Sequence, residues 1–105
     1  MIRVELPGTW LNNANLSESD LSGAVLTWAR MRESNLSKAN LSKAHLQEAF
    51  LPESDLSGAN LTGANLSGAE LAWANLTGTN FTLADLRGSK LYGVVGYNFH
   101  GAILE

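Results

Sequence analysis

The sequence predicts an all-β solenoid, a tube of chain that turns a corner at every fifth residue. Three observations carry that reading. A five-residue unit, small–Asn–Leu–polar–Gly, recurs along nearly the whole chain and is plainest from Ala59 to Leu76. Leucine, or once Met31 and once Phe81, stands at every fifth position from Leu6 to Leu91. Ala, Ser or Thr stands two residues before it without exception from Thr9 to Ser89.

Neither common period accounts for this spacing. On an α-helix a step of five residues turns ~500°, so successive leucines rotate apart by ~140° and form no stripe. On a flat strand, positions five apart fall on alternate faces. A long helix would also carry many internal glycines, each costing ~1 kcal/mol. A chain that bends every five residues instead points one large side chain inward from each side of the coil. The predicted core ladder is Leu16, Leu21, Leu26, Met31, Leu36, Leu41, Leu46, Leu51, Leu56, Leu61, Leu66, Leu71, Leu76, Phe81, Leu86 and Leu91.

The positions between leucines read as corners. Ser57-Gly58, Thr62-Gly63, Ser67-Gly68 and Thr77-Gly78 follow their leucines directly. Glycine supplies the positive φ required at the second central position of a type II turn, and Pro7 and Pro52 suit the first. A change at Gly58 to a β-branched residue therefore costs more than one at Ser57. The unbroken leucine register separates the chain from a flexible Gly/Ser linker.

These units, with Asp or Asn before the leucine, resemble the pentapeptide-repeat proteins. The match runs from Val4 to Leu91, about eighteen consecutive units. The resemblance implies a right-handed quadrilateral parallel β-helix of about four to five coils, four pentapeptides to a coil. The Asp/Asn slot offers a separate test. From Asn15 to Asp85 its departures are Val25, Arg30, His45, Phe50 and Glu70. With a period of twenty, all five fall on two adjacent sides, whereas the Leu16 and Leu21 sides keep Asn or Asp throughout. A fifteen-residue triangular coil scatters them.

At 105 residues the chain reads as one domain, with regular repeats over about 4–92 and a C-terminal cap over 93–105. After Leu91 the phase slips and resumes at Phe99 and Leu104. Tyr97, Phe99, Ile103 and Leu104 read as the cap that a β-helix needs over its open end. A second copy could cover that end instead, giving a homodimer.

The net charge of −3 excludes a simple basic nucleic-acid binder, and the absence of cysteine excludes disulfides and thiolate metal sites. No apolar run approaches the ~20 residues that span a bilayer, and Met1-Ile2-Arg3-Val4-Glu5 is not a signal peptide. The expectation is a soluble cytoplasmic protein, bacterial by resemblance, with no membrane or direct nucleic-acid partner. Sequons such as Asn15-Leu-Ser17 and Asn60-Leu-Thr62 read as by-products of the repeat.

No catalytic constellation, metal-ligand cluster or cofactor motif is present. His45 and His100 read as solvated surface residues. Asp20, Asp55 and Asp85 read as corner residues that accept hydrogen bonds from nearby backbone, as Asn does in the same slot. The informative surface is the divergent pair of sides. A twenty-residue period stacks Trp10, Arg30, Phe50, Glu70 and Lys90 in one outward column, with Arg30 between two rings, Glu70 paired to Lys90, and Glu33 over Glu53. Trp10, Trp28, Arg30, Arg32, Phe50, Trp73 and Tyr92 form a candidate protein-binding face, since Trp, Tyr and Arg dominate interface hot spots. The same column also reads as a ladder that glues coils together.

The resulting functional expectation is a non-enzymatic scaffold that binds a protein through this face. The resemblance supplies an alternative. Some pentapeptide-repeat proteins act as DNA mimics that bind type II topoisomerases, as long acidic rods that dimerise through a C-terminal segment. Ten acidic residues against seven basic ones spread over the chain fit that role poorly.

Overall fold

A computed structural model describes residues 4–105; Met1, Ile2 and Arg3, including their part in the leader-peptide expectation, lie outside it. Single-residue parallel bridges join positions twenty apart. One ladder runs Glu5–Val25–His45–Asn65–Asp85 and another Asn15–Asn35–Asp55–Asn75–Val95. Two-residue turns separate successive bridge residues, so each twenty-residue winding has four sides and four corners. The sides are named here by their inward residues: Leu16, Leu21, Leu26 and Met31.

Each unit is held in two ways. Across the corner, Ala39 N–H donates to the Leu36 carbonyl at 3.0 Å. Between coils, Leu36 N–H donates to Asp55 at 2.8 Å, Lys38 N–H to Ser57 at 2.8 Å, and Asp55 N–H to Ser34 at 2.9 Å. This pattern satisfies backbone groups that burial would otherwise penalise. The Asp/Asn side chain adds a further bond: Asn35 Oδ1 accepts from Ser37 N–H at 3.0 Å and from Ser37 Oγ at 2.7 Å. Asp55, Asn60 and Asn75 repeat that geometry. This is why two sides keep Asp or Asn: the short side chain closes an Asx-turn at the corner.

The second turn residue has positive φ at glycine and non-glycine positions alike. Gly58 stands at 68°, and Trp28, Glu33, Lys38 and Trp73 at 63°, 56°, 58° and 63°. Inside, Leu26, Leu36, Leu61, Leu66 and Leu76 are wholly buried, with alanines such as Ala24, Ala29 and Ala74 beside them. Leu16 and Leu91, near the two ends, are only partly covered.

Two small-slot residues on the Leu16 side break the apolar interior. Ser34 and Ser54, one coil apart, are buried, and among the described residues their hydroxyls have no hydrogen-bond partner. Thr79 avoids this by donating to the Leu56 carbonyl at 2.7 Å. An unsatisfied buried hydroxyl costs about 1–3 kcal/mol. Ser34→Ala and Ser54→Ala are therefore expected to raise the denaturation midpoint, each by about 1 kcal/mol of stability. A lowered midpoint in urea unfolding would contradict that.

At the C-terminal end Asp85 bridges Ile103, eighteen residues on rather than twenty. Gly96 stands in the inward slot of the Leu16 side, and the next unit begins at once with Tyr97. The chain drops the two residues of one corner, which returns Phe99 and Leu104 to the inward phase. Phe99 packs on the core, its ring 5.3 Å from that of Phe81 and 5.1 Å from that of Tyr97. Tyr97, Ile103 and Leu104 remain substantially exposed. The reason is geometric: Ile103 occupies an outward bridge slot, and no described coil lies above Leu104.

Candidate protein-binding face

The Met31 side carries the outward bridge column Trp10–Arg30–Phe50–Glu70–Lys90, each member joined to the next. Asn12, Arg32, Pro52, Ala72 and Tyr92, two residues along, are the first residues of the corners that end this side, and Pro52 among them is buried. Trp28 stands on the corner where the chain enters this side, and Trp73 on the corner where it leaves. The structure thus brings all seven candidate residues onto one side and its two bordering corners.

The arginines stack differently from the single sandwich that the spacing suggested. Arg30 lies over Trp10, its guanidinium carbon 4.6 Å from the ring centroid. Arg32, not Arg30, lies over Phe50, at 5.8 Å. Arg30 leaves from the side and Arg32 from the corner that follows it, and they take rings on opposite neighbouring coils, Trp10 on the coil before and Phe50 on the coil after. Lys90 and Glu70 approach at 4.0 Å, a loose exposed pair of small energetic value. Glu33 and Glu53 both sit on exposed positive-φ corners.

Trp28 and Trp73 are the unusual members. Both hold the left-handed backbone conformation that their slot imposes, where Gly23 and Gly58 stand elsewhere. A bulky residue in that conformation is strained by about 1–3 kcal/mol. Neither recovers this by burial, since they remain 65% and 56% exposed. Trp73 meets Tyr92 edge-on at 5.0 Å and lies across Gly93, where a Cβ would collide with the indole. Among the described residues no ring or cation stacks on Trp28. The sequence carried a signal of this strain, because both tryptophans fall in the slot that glycine fills most often.

The carboxylates on the other sides are acceptors. Asp85 binds Arg87 with two parallel bonds of 2.9 and 2.8 Å and also accepts Arg87 N–H. Those bonds hold its carboxyl down at about 2. Bonds from Ser22 lower Asp20 likewise. Both are ionised at neutral pH and hold no proton to give. Since folding depresses the Asp85 value, its stabilisation is present above about pH 4 and is lost as pH falls toward 2.

The comparisons with known proteins agree with this geometry. The family model for pentapeptide repeats matches eight copies, over residues 1–37, 39–78 and 64–105. The chain is a pentapeptide-repeat protein. Its fold is the right-handed quadrilateral β-helix of that family. It is similar to the pentapeptide-repeat protein Rfr23 of the cyanobacterium Cyanothece 51142, with 39% identity over 96% of this chain and 64% of that one, at a TM-score of 0.72. A pentapeptide-repeat protein of the Arabidopsis thaliana thylakoid lumen shares 29% identity over 93% of this chain and 63% of its own, at 0.69. The protein alr5209 of Nostoc Pcc 7120 shares 30% over 98% and 86%, at 0.53. This pentapeptide-repeat chain thus spans a little under two thirds of the first two relatives. QnrB1, a plasmid-mediated fluoroquinolone resistance protein, is 18% identical at 0.56 and is alike in fold alone. No protein of curated function matches.

Proposed function

We propose that this pentapeptide-repeat chain is a non-enzymatic scaffold, a rod of four to five coils that binds a partner protein through its Met31 side. The observation that supports this most is the pair of strained, exposed tryptophans, Trp28 and Trp73, on the two corners bordering that side. A ladder that merely glued coils together has no use for bulky rings held at positive φ and left in solvent. A binding face does, because rigid indoles supply contact area at low entropic cost. Backbone strain concentrates at such sites.

The triple variant Trp28→Ala, Arg30→Ala, Phe50→Ala is expected to lose partner capture from lysate while keeping the parent's circular-dichroism spectrum. Undiminished capture by the folded variant would remove the reading. The topoisomerase-binding acidic rod has weaker support, because Arg30, Arg32, Lys38, Lys43, Arg87 and Lys90 interrupt the acidic surface on every side. Purified protein in large excess is expected to leave DNA supercoiling by a type II topoisomerase unchanged; inhibition would favour that alternative.

A further inference from the structure

We infer that Gly93 and Tyr92 are positioning residues: together they form a seat that holds the Trp73 indole in one orientation and makes it the fixed anchor of the binding face, whereas Trp28 has no seat. The role as anchor rests on the binding-face reading above; the seat does not.

The second turn residues follow one rule. A side chain in this slot leans over the same slot of the coil that follows. Lys38 lies over Gly58, Lys43 over Gly63 and Glu48 over Gly68, twenty residues on in each case. Trp73 lies over Gly93 in the same way, and three of its ring atoms, Cδ2, Cε3 and Cζ3, crowd the point that a Cβ at Gly93 would take. The backbone alone does not call for glycine there, because Asn13, Glu18, Lys38 and Leu83 hold the same left-handed conformation. The indole does call for it.

Tyr92 closes the seat. Its ring meets that of Trp73 at 5.0 Å and 90°, and its carbonyl accepts the Trp73 N–H at 2.8 Å. The indole therefore rests on bare backbone with an aromatic wall beside it, and still keeps 56% of its surface in solvent. Trp28 differs at one point. Twenty residues after it stands Glu48, which carries a Cβ where Trp73 finds bare glycine. Trp28 thus has no floor to lie on, and it is the more exposed of the two at 65%. A ring fixed before contact loses less freedom on binding than a mobile one. The two tryptophans are therefore not equivalent.

The test is NMR of the whole chain, with each indole Nε1–H assigned from single Trp→Phe variants. In the parent, the heteronuclear NOE of the Trp73 indole is expected to match that of core backbone amides, and that of Trp28 to fall below it. Gly93→Ala should move the Trp73 signal and bring its NOE down to the level of Trp28. Gly78→Ala is the control: it places the same methyl at φ 69°, where the nearest atom is 3.7 Å away, and should leave the Trp73 signal in place. Tyr92→Ala should loosen the ring without altering a left-handed residue. Partner capture should weaken by about two- to tenfold in Gly93→Ala, the effect of one freed side chain, and not in Gly78→Ala.

Equal NOE values for Trp28 and Trp73 in the parent, a comparison that needs no variant at the seat, would overturn the inference. So would a Trp73 signal unmoved by Gly93→Ala. If Trp73 proves as mobile as Trp28 while the triple variant Trp28→Ala, Arg30→Ala, Phe50→Ala still loses capture, the seat falls and the binding face stands. If Trp73 is fixed and Gly93→Ala frees it, but Trp73→Ala captures partner as the parent does, the seat stands and the part of Trp73 as anchor falls.

Discussion

Replacing Leu56 by alanine is expected to lower the unfolding free energy by about 2–5 kcal/mol. Leu56 is 1% exposed and lies near the middle of the Leu16 column, between Leu36 and Leu76. The coils on either side are tied by backbone bonds, such as Leu36 N–H to the Asp55 carbonyl and Leu56 N–H to the Asn75 carbonyl. That lattice cannot collapse into the space, so the cavity term adds to the lost transfer energy. The neighbouring small slot is Ser54, whose buried hydroxyl gains no partner from the change. Urea unfolding measures the cost. A loss under about 1 kcal/mol would mean that the interior relaxes and is not a close-packed ladder.

The second large effect runs against the repeat. Gly96 stands where the unit calls for leucine, so a consensus design would write Gly96→Leu to strengthen the column. The expected result is destabilisation by about 2–5 kcal/mol, the sum of left-handed strain and overpacking. Gly96 has φ +67°, and a Cβ there would collide with the hydroxyl and backbone of Thr77. This is the corner where two residues are missing, and the chain folds back onto Thr77 to make the short connection. Gly96→Ala should already cost much of the total, whereas Gly58→Ala should cost less, since its Cβ would come no closer than 3.3 Å to the Lys38 side chain, with the Lys38 backbone at ordinary contact distance. A stabilising Gly96→Leu would show that the C-terminal end follows the regular register.

The fold was legible in this sequence because a five-residue period is incompatible with both helix and flat strand, and because the Asp/Asn departures segregate only at a period of twenty. Residues that obey the spacing but differ in backbone or hydrogen bonding were less so. Ser34 and Ser54 fit the small slot as well as alanine does, and nothing in the spacing reveals that their hydroxyls lack partners. Phe99 and Leu104 mark where the phase resumes, but a gain of three residues and a loss of two read alike in the sequence; the Asp85–Ile103 bridge decides for the loss. The face itself was legible as a column. Which arginine meets which ring was not, because spacing places a side chain on a side without setting the direction in which its long stem lies.

The central claim is that like sites meet after twenty residues. The chain has no cysteine, so paired substitutions test this without background. Parallel neighbours lie ~4.8 Å apart, within the Cα separation that a disulfide bridges. Ser37→Cys with Ser57→Cys is expected to cross-link within one chain on mild oxidation, and Ser42→Cys with Ser57→Cys, fifteen apart, is not. Cross-linking of the second pair and not the first would contradict the square coil.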